Sequence, residues 1–145
     1  MKRIKFVKWL VLSVSLFLFL PSANSAVEYK AENLSAGTGP AANENDELII
    51  RYDLWLYEGK TADGKGKLVD SSKSLGKKIP LDEKKILAGL YRGLSSARVG
   101  DKWRFTLPAN LAFGKKGDGA IPPNSDLIFE VEVLALSSTD PKTDH

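Results

Sequence analysis

Two stretches of period-two alternation, joined by a loop too long for a hairpin, constrain the fold more than any other feature of this chain. Residues 99–136 read VGDKWRFTLPANLAFGKKGDGAIPPNSDLIFEVEVLAL. In Lys102–Leu107 the apolar Trp103, Phe105 and Leu107 alternate with Lys102, Arg104 and Thr106, the pattern of a strand with one buried face. The alternation returns over residues 127–133, with Leu127, Phe129, Val131 and Val133 on one face and Glu130 and Glu132 on the other. Between them come Leu111-Ala112-Phe113-Gly114, a glycine-rich basic turn, and Ala120-Ile121-Pro122-Pro123-Asn124. A loop holding Phe113 and Ile121 between two core strands is a candidate binding rim, because sites gather on loops over rigid scaffolds.

Upstream, residues 47–57 (ELIIRYDLWLY) give a strong strand, with Leu48, Ile50, Tyr52, Leu54 and Leu56 on one face. Residues 58–67 (EGKTADGKGK) read as a solvated, turn-rich excursion; they hold neither a phosphate-loop nor a calcium-loop pattern. Asp70-Ser71-Ser72 is turn chemistry, since these side chains bond neighbouring amides. Residues 83–94 (EKKILAGLYRGL) place Ile86, Leu87, Leu90 and Leu94 at helical spacing, which predicts one short amphipathic helix weakened by Gly89. Strands around a single helix predict an antiparallel sheet in an α+β domain.

The chain ends bound the partners. Lys2, Arg3, Lys5 and Lys8 precede an apolar run of twelve at residues 9–20, then Pro21 and small residues. Residues 1–26 therefore read as a secretory signal peptide, with cleavage after Ser25 or Ala26. The run is shorter than the roughly 20 residues that span a bilayer comfortably, so the membrane is expected to be met only through this segment. Removal takes four of the 21 basic residues and none of the 18 acidic ones, so 17 against 18 leaves −1. The basic balance then lies in the signal segment and points to no nucleic acid. The chain has no cysteine, and its one histidine is His145, which argues against thiol, disulfide and histidine-based chemistry. Residues 27–46 read as a flexible lead-in, 47–137 as the folded domain and 138–145 as a disordered tail.

Taken in order, Ile50-Arg51-Tyr52, Val69-Asp70-Ser71-Ser72, Ile86-Leu87-Ala88-Gly89-Leu90, Val99-Gly100-Asp101, Leu107-Pro108, Leu111-Ala112-Phe113-Gly114, Ile121-Pro122-Pro123-Asn124 and the strand from Leu127 to Glu132 resemble an FKBP-type peptidyl-prolyl cis–trans isomerase domain. The resemblance covers about residues 47–136. It implies a five- or six-stranded antiparallel sheet wrapped around one short helix, with a substrate pocket between them. With the signal segment it implies an exported isomerase that assists folding, takes proline-containing polypeptides and macrolide inhibitors, and needs no metal or other cofactor. The dimerising helical arm of some exported relatives has no counterpart ahead of the domain, so a monomer is expected.

By the same resemblance Tyr52, Asp70, Leu87 and Phe113 are the catalytic positions, while Val69, Ile86, Leu90, Ile121 and Phe129 bind substrate. Leu87 would hold a carbonyl flanking the proline through its backbone N–H. Asp70 would be the one polar group at an apolar wall. Three positions depart from the family's usual residues: Leu90 replaces a tryptophan, Phe113 a tyrosine and Val69 a phenylalanine. The alternative reading is a catalytically weak or inactive binding module that uses the same groove.

Overall fold

The computed structural model describes residues 26–137; residues 1–25 of the expected signal peptide and the C-terminal tail lie outside them. Strands Lys30–Ser35 (β1), Glu47–Tyr57 (β2), Lys65–Ser71 (β3) and Lys77–Pro80 (β4) precede a helix at Ala88–Leu94 (α1). Strands Lys102–Leu107 (β5) and Leu127–Ser137 (β6) follow, separated by a loop that opens with a 3-10 turn at Ala109–Leu111. All pairings are antiparallel and form one six-stranded sheet in the order β1-β5-β6-β2-β3, with β4 also on β2. Because β6 occupies one edge of β2 along its length, β3 and β4 share the other edge: β3 beside residues 53–57, β4 beside residues 47–50.

The alternating positions build the core. Leu48, Ile50, Tyr52 and Leu54 of β2, Phe105 and Leu107 of β5, and Leu127, Phe129, Val131 and Val133 of β6 are all buried in it. A one-residue bulge between Ile49 and Ile50 shifts the β2–β6 register, so Leu48 faces Leu136 while Ile50 faces Val133. Both β6 residues thereby reach the core side although three positions separate them. The opposite sheet face carries an ion-pair ladder: Arg104 and Lys65 both meet Glu130, and Arg51 meets Glu132.

Three expectations are corrected. Residues 27–46 are not a flexible lead-in. β1 pairs with β5, Ala41 bridges Arg98, and Ala42 is buried. As an exposed edge strand β1 needs no apolar face, so its main-chain bonds leave no hydrophobic pattern to read. The helix, expected over residues 83–94, is also shorter. Asp82 closes a single turn by accepting from the Lys84 N–H on its side chain and from the Lys85 and Ile86 N–H groups on its carbonyl. Leu87 then takes an extended ψ of 132°, and α1 starts after it. Residues 65–67, expected in the solvated excursion, instead open β3.

Candidate functional site

Helix α1 is pressed against the sheet, and the expected site residues line the space beside it. A cavity of about 500 Å³ is bordered by Tyr52, Asp70, Ile86, Leu87, Leu90, Phe113 and Phe129, together with Ile50, Leu54 and Ile79. Val69 and Ile121 border a smaller adjoining space of about 220 Å³, which shares Leu54, Asp70, Phe113 and Asp118 with the first. The fold thus brings all nine predicted positions to one two-lobed cleft. Its combined size is that of an ordinary ligand site.

Strand register sets the back wall. Tyr52 and Phe129 lie on the core faces of β2 and β6, with ring centroids 6.2 Å apart and planes tilted by 46°. Asp70, on β3, is the Cα partner of Leu54, which brings its carboxylate level with the Tyr52 phenol two residues away on the same face. The Tyr52 hydroxyl donates to Asp70 Oδ2 at 2.6 Å, and the Ser71 N–H donates to Asp70 Oδ1 at 2.8 Å. Ser72 braces the Tyr52 backbone: its Oγ accepts from the Tyr52 N–H and its own N–H donates to the Tyr52 carbonyl, both at 2.9 Å. Asp70 and Ser71, expected as turn residues, instead end strand β3, and the Asp-Ser-Ser run fixes Tyr52. Burial, the hydrogen bond to Asp70 and the charge of Asp70 push the Tyr52 phenol up to about 12, so it stays protonated and keeps donating at neutral pH.

The other wall comes from the segment ahead of α1. The break at Leu87 leaves its N–H outside both the Asp82 turn and the helix, and among the described residues that N–H donates to no protein acceptor. Leu87 lies on the cavity beside Leu90. The loop after β5 supplies the roof. The Ala109 N–H donates to the Asp126 carboxylate at 2.8 Å, and the Asn124 N–H donates to the Gly114 carbonyl at 2.8 Å. Gly114, Gly117 and Gly119 all have positive φ, which lets the loop double back and place Phe113 and Ile121 over the cleft.

Asp70 is not the one polar group at the wall. Lys77, Lys84, Lys85 and Asp118 also border the larger lobe. Sequence reasoning passed over them because lysines in turn-forming or short strand segments look like solvent-facing residues. Lys77 Nζ donates to the Tyr52 hydroxyl oxygen at 3.4 Å and lies 5.3 Å from the Tyr52 ring centroid. Ile79, in the four-residue β4, carries too few positions for an alternation to show.

An antiparallel sheet closed over one short helix, with an apolar cleft between them, defines this class of α+β domain. The model of the FKBP-type peptidyl-prolyl cis-trans isomerase family matches residues 39–134, and the chain belongs to that family. It is 34% identical over 109 residues to FK506-binding protein 1 of Aspergillus oryzae, covering 72% of this chain and 94% of the relative. It is 33% identical over 111 residues to the FKBP-type isomerase FkpA of Escherichia coli K12, covering 77% of this chain but 38% of that protein. Among solved structures, a peptidyl-prolyl cis-trans isomerase from Pseudomonas syringae superposes with a TM-score of 0.63 at 30% identity, covering 80% of this chain and 84% of that one.

Proposed function

We propose that this protein catalyses cis–trans isomerisation of X–Pro bonds in exported polypeptides, with Tyr52, Asp70, Leu87 and Phe113 at the reacting amide and Val69, Ile86, Leu90, Ile121 and Phe129 holding the proline and its neighbours. The observation that carries the reading is the pairing of an apolar cleft with an amide donor, the Leu87 N–H, that meets no protein acceptor among the described residues, on the same cleft as the Tyr52–Asp70 hydrogen bond. Rotation about X–Pro crosses a barrier of roughly 18–20 kcal/mol because the planar amide has partial C–N double-bond character. The twisted amide loses that conjugation and its carbonyl is less polar, so a cleft walled by Tyr52, Phe113, Leu90 and Phe129 favours it over the planar form. The Leu87 N–H fixes the flanking chain, and the Asp70 carboxylate, held by Tyr52 and Ser71, stays in place while the substrate turns. The basic start and apolar run of residues 2–20 support export. Similarity to a protein named for FK506 binding supports macrolide binding in the same cleft.

The test is the cis-to-trans rate of short X–Pro peptides with the purified protein. Acceleration that scales with protein concentration is expected, with uncatalysed conversion taking tens of seconds. A background rate from a folded sample overturns the reading. In that case the binding-module alternative gains, which Leu90 and Phe113 favour. Phe113 offers no hydroxyl to a substrate carbonyl, a contact worth about 0.5–1.5 kcal/mol.

A further inference from the structure

We propose that the cleft selects proline segments carrying an acidic residue beside the proline, on the side held by Leu87; this rests on the isomerase reading and names the substrate class of the same site. Three ammonium groups border the larger lobe, those of Lys77, Lys84 and Lys85. They come from two separate elements, the first residue of β4 and the turn before α1, so the fold and not sequence adjacency gathers them.

The three differ in how far they are already engaged. Lys85 is paired with Asp82 at 3.2 Å. Lys84 forms no ion pair among the described residues. Among the described residues Lys77 reaches the Tyr52 hydroxyl oxygen and ring face and forms no ion pair with a carboxylate. Two acids border the same lobe. Asp70 is occupied by the Tyr52 hydroxyl and the Ser71 N–H, and Asp118 lies toward the smaller lobe that holds Ile121. The larger lobe therefore carries three lysines against these two acids. Elsewhere Lys65, Lys78, Arg51 and Arg104 each meet a carboxylate. The described residues carry equal numbers of basic and acidic side chains, so the basic rim is local and not a reflection of net charge.

A peptide whose carbonyl is held by the Leu87 N–H places its nearest side chains beside Lys84, with Lys77 across the lobe. A carboxylate there gains two ammonium neighbours without displacing an existing ion pair. A lysine there meets like charge, and like-charge contacts exclude partners as effectively as favourable ones select them. Each exposed charge pair is worth a factor of about 2 to 5 in binding.

The experiment compares kcat/KM for paired peptides that differ only by Glu, Gln or Lys at the residue before or after the proline. In 20 mM salt, the Glu peptide of one pair is expected to exceed its Gln twin about 3- to 10-fold, with Lys below Gln. The advantage should shrink several-fold at 0.5 M salt, where screening is short-ranged. The Lys77→Gln, Lys84→Gln double variant is expected to bring the Glu-to-Gln ratio to about one, whatever its absolute rate. A ratio of one in the wild-type protein, or a ratio that survives the double variant, overturns the proposal while the isomerase reading stands. If no peptide turns over, the isomerase reading fails, and the charge preference is judged on the Kd of the same peptides, where equal values for Glu and Gln overturn it.

Discussion

Asp101 is only 4% exposed and is surrounded by donors. Its carboxylate accepts from the Gly37 N–H at 2.7 Å, the Arg98 N–H at 2.8 Å and the Trp103 indole N–H at 3.0 Å. Burial pulls the carboxyl upward, but the hydrogen bonds from Arg98, Gly37, Trp103 and Asn33 outweigh it and hold the group below the usual aspartate range. A carboxyl depressed in the folded state adds stability above its unfolded pKa and loses that stability as the pH falls through the folded value. The loss attributable to Asp101 therefore falls below about pH 4. The Asp101→Asn variant should be less stable by about 2–4 kcal/mol at pH 7, since charge-assisted bonds are replaced and an amide N–H is set against another donor. In urea titrations from pH 7 down to pH 2, the gap between the two proteins should narrow at the acid end. A constant gap across that range would assign the role of Asp101 to shape and not charge. At this scale the sequence was legible where chemistry repeats a pattern: alternation puts Tyr52 and Phe129 on buried strand faces, while Asp70 was reached only through the resemblance, its Asp-Ser-Ser neighbours reading as a turn. Lys77 was not, because nothing in its own segment says that β4 will fold back beside Tyr52.

Helix α1 shows why a residue scored as a local weakness can be a tertiary requirement. Glycine costs about 1 kcal/mol in a helix interior, and α1 holds two in seven residues, Gly89 and Gly93. They are four positions apart and so share one face. A methyl group at Gly89 would run into Leu107, and one at Gly93 into Phe105. The two glycines let the helix backbone lie directly on β5, with Leu90 and Leu94 buried alongside. Helical propensity alone predicts that Gly93→Ala stabilises. The geometry predicts the reverse, a loss of about 1–3 kcal/mol from overpacking against Phe105, read as a lower urea midpoint with unchanged slope. A rise in the midpoint would mean that β5 can yield without cost. The same logic explains the shortened helix. Its apolar spacing extends back to Ile86, but the Asp82 turn and the extended Leu87 break the run, and backbone breaks of this kind leave no trace in hydrophobic periodicity.

On the scale of the whole molecule, the open question is what the segment before β2 does, since the family match begins at residue 39 and β1 ends at Ser35. β1 covers the free edge of β5 and reaches further than the sheet. The Tyr29 hydroxyl donates to the Gly89 carbonyl at 3.1 Å, and the Arg92 guanidinium lies 5.0 Å from the Tyr29 ring centroid. The segment therefore ties the edge strand to the helix that borders the cleft, and should contribute to site rigidity as well as stability. A variant of the protein beginning at Ala36 keeps Gly37 and its bond to Asp101 but loses β1 and Tyr29. It is expected to fold and to lose about 2–4 kcal/mol, the sum of a few hydrogen bonds at about 0.5–1.5 kcal/mol each. Amide exchange should quicken in α1 as well as along β5, because the helix loses its link to the edge strand. The deletion also takes Asn33 from the Asp101 carboxylate, so its loss and that of Asp101→Asn share a partner and should sum to less than the two taken separately. A shortened chain that unfolds at the same urea concentration as the full one, with α1 exchange unchanged, would make β1 a passive covering of β5 and leave Gly89 and Gly93 as the features that seat the helix.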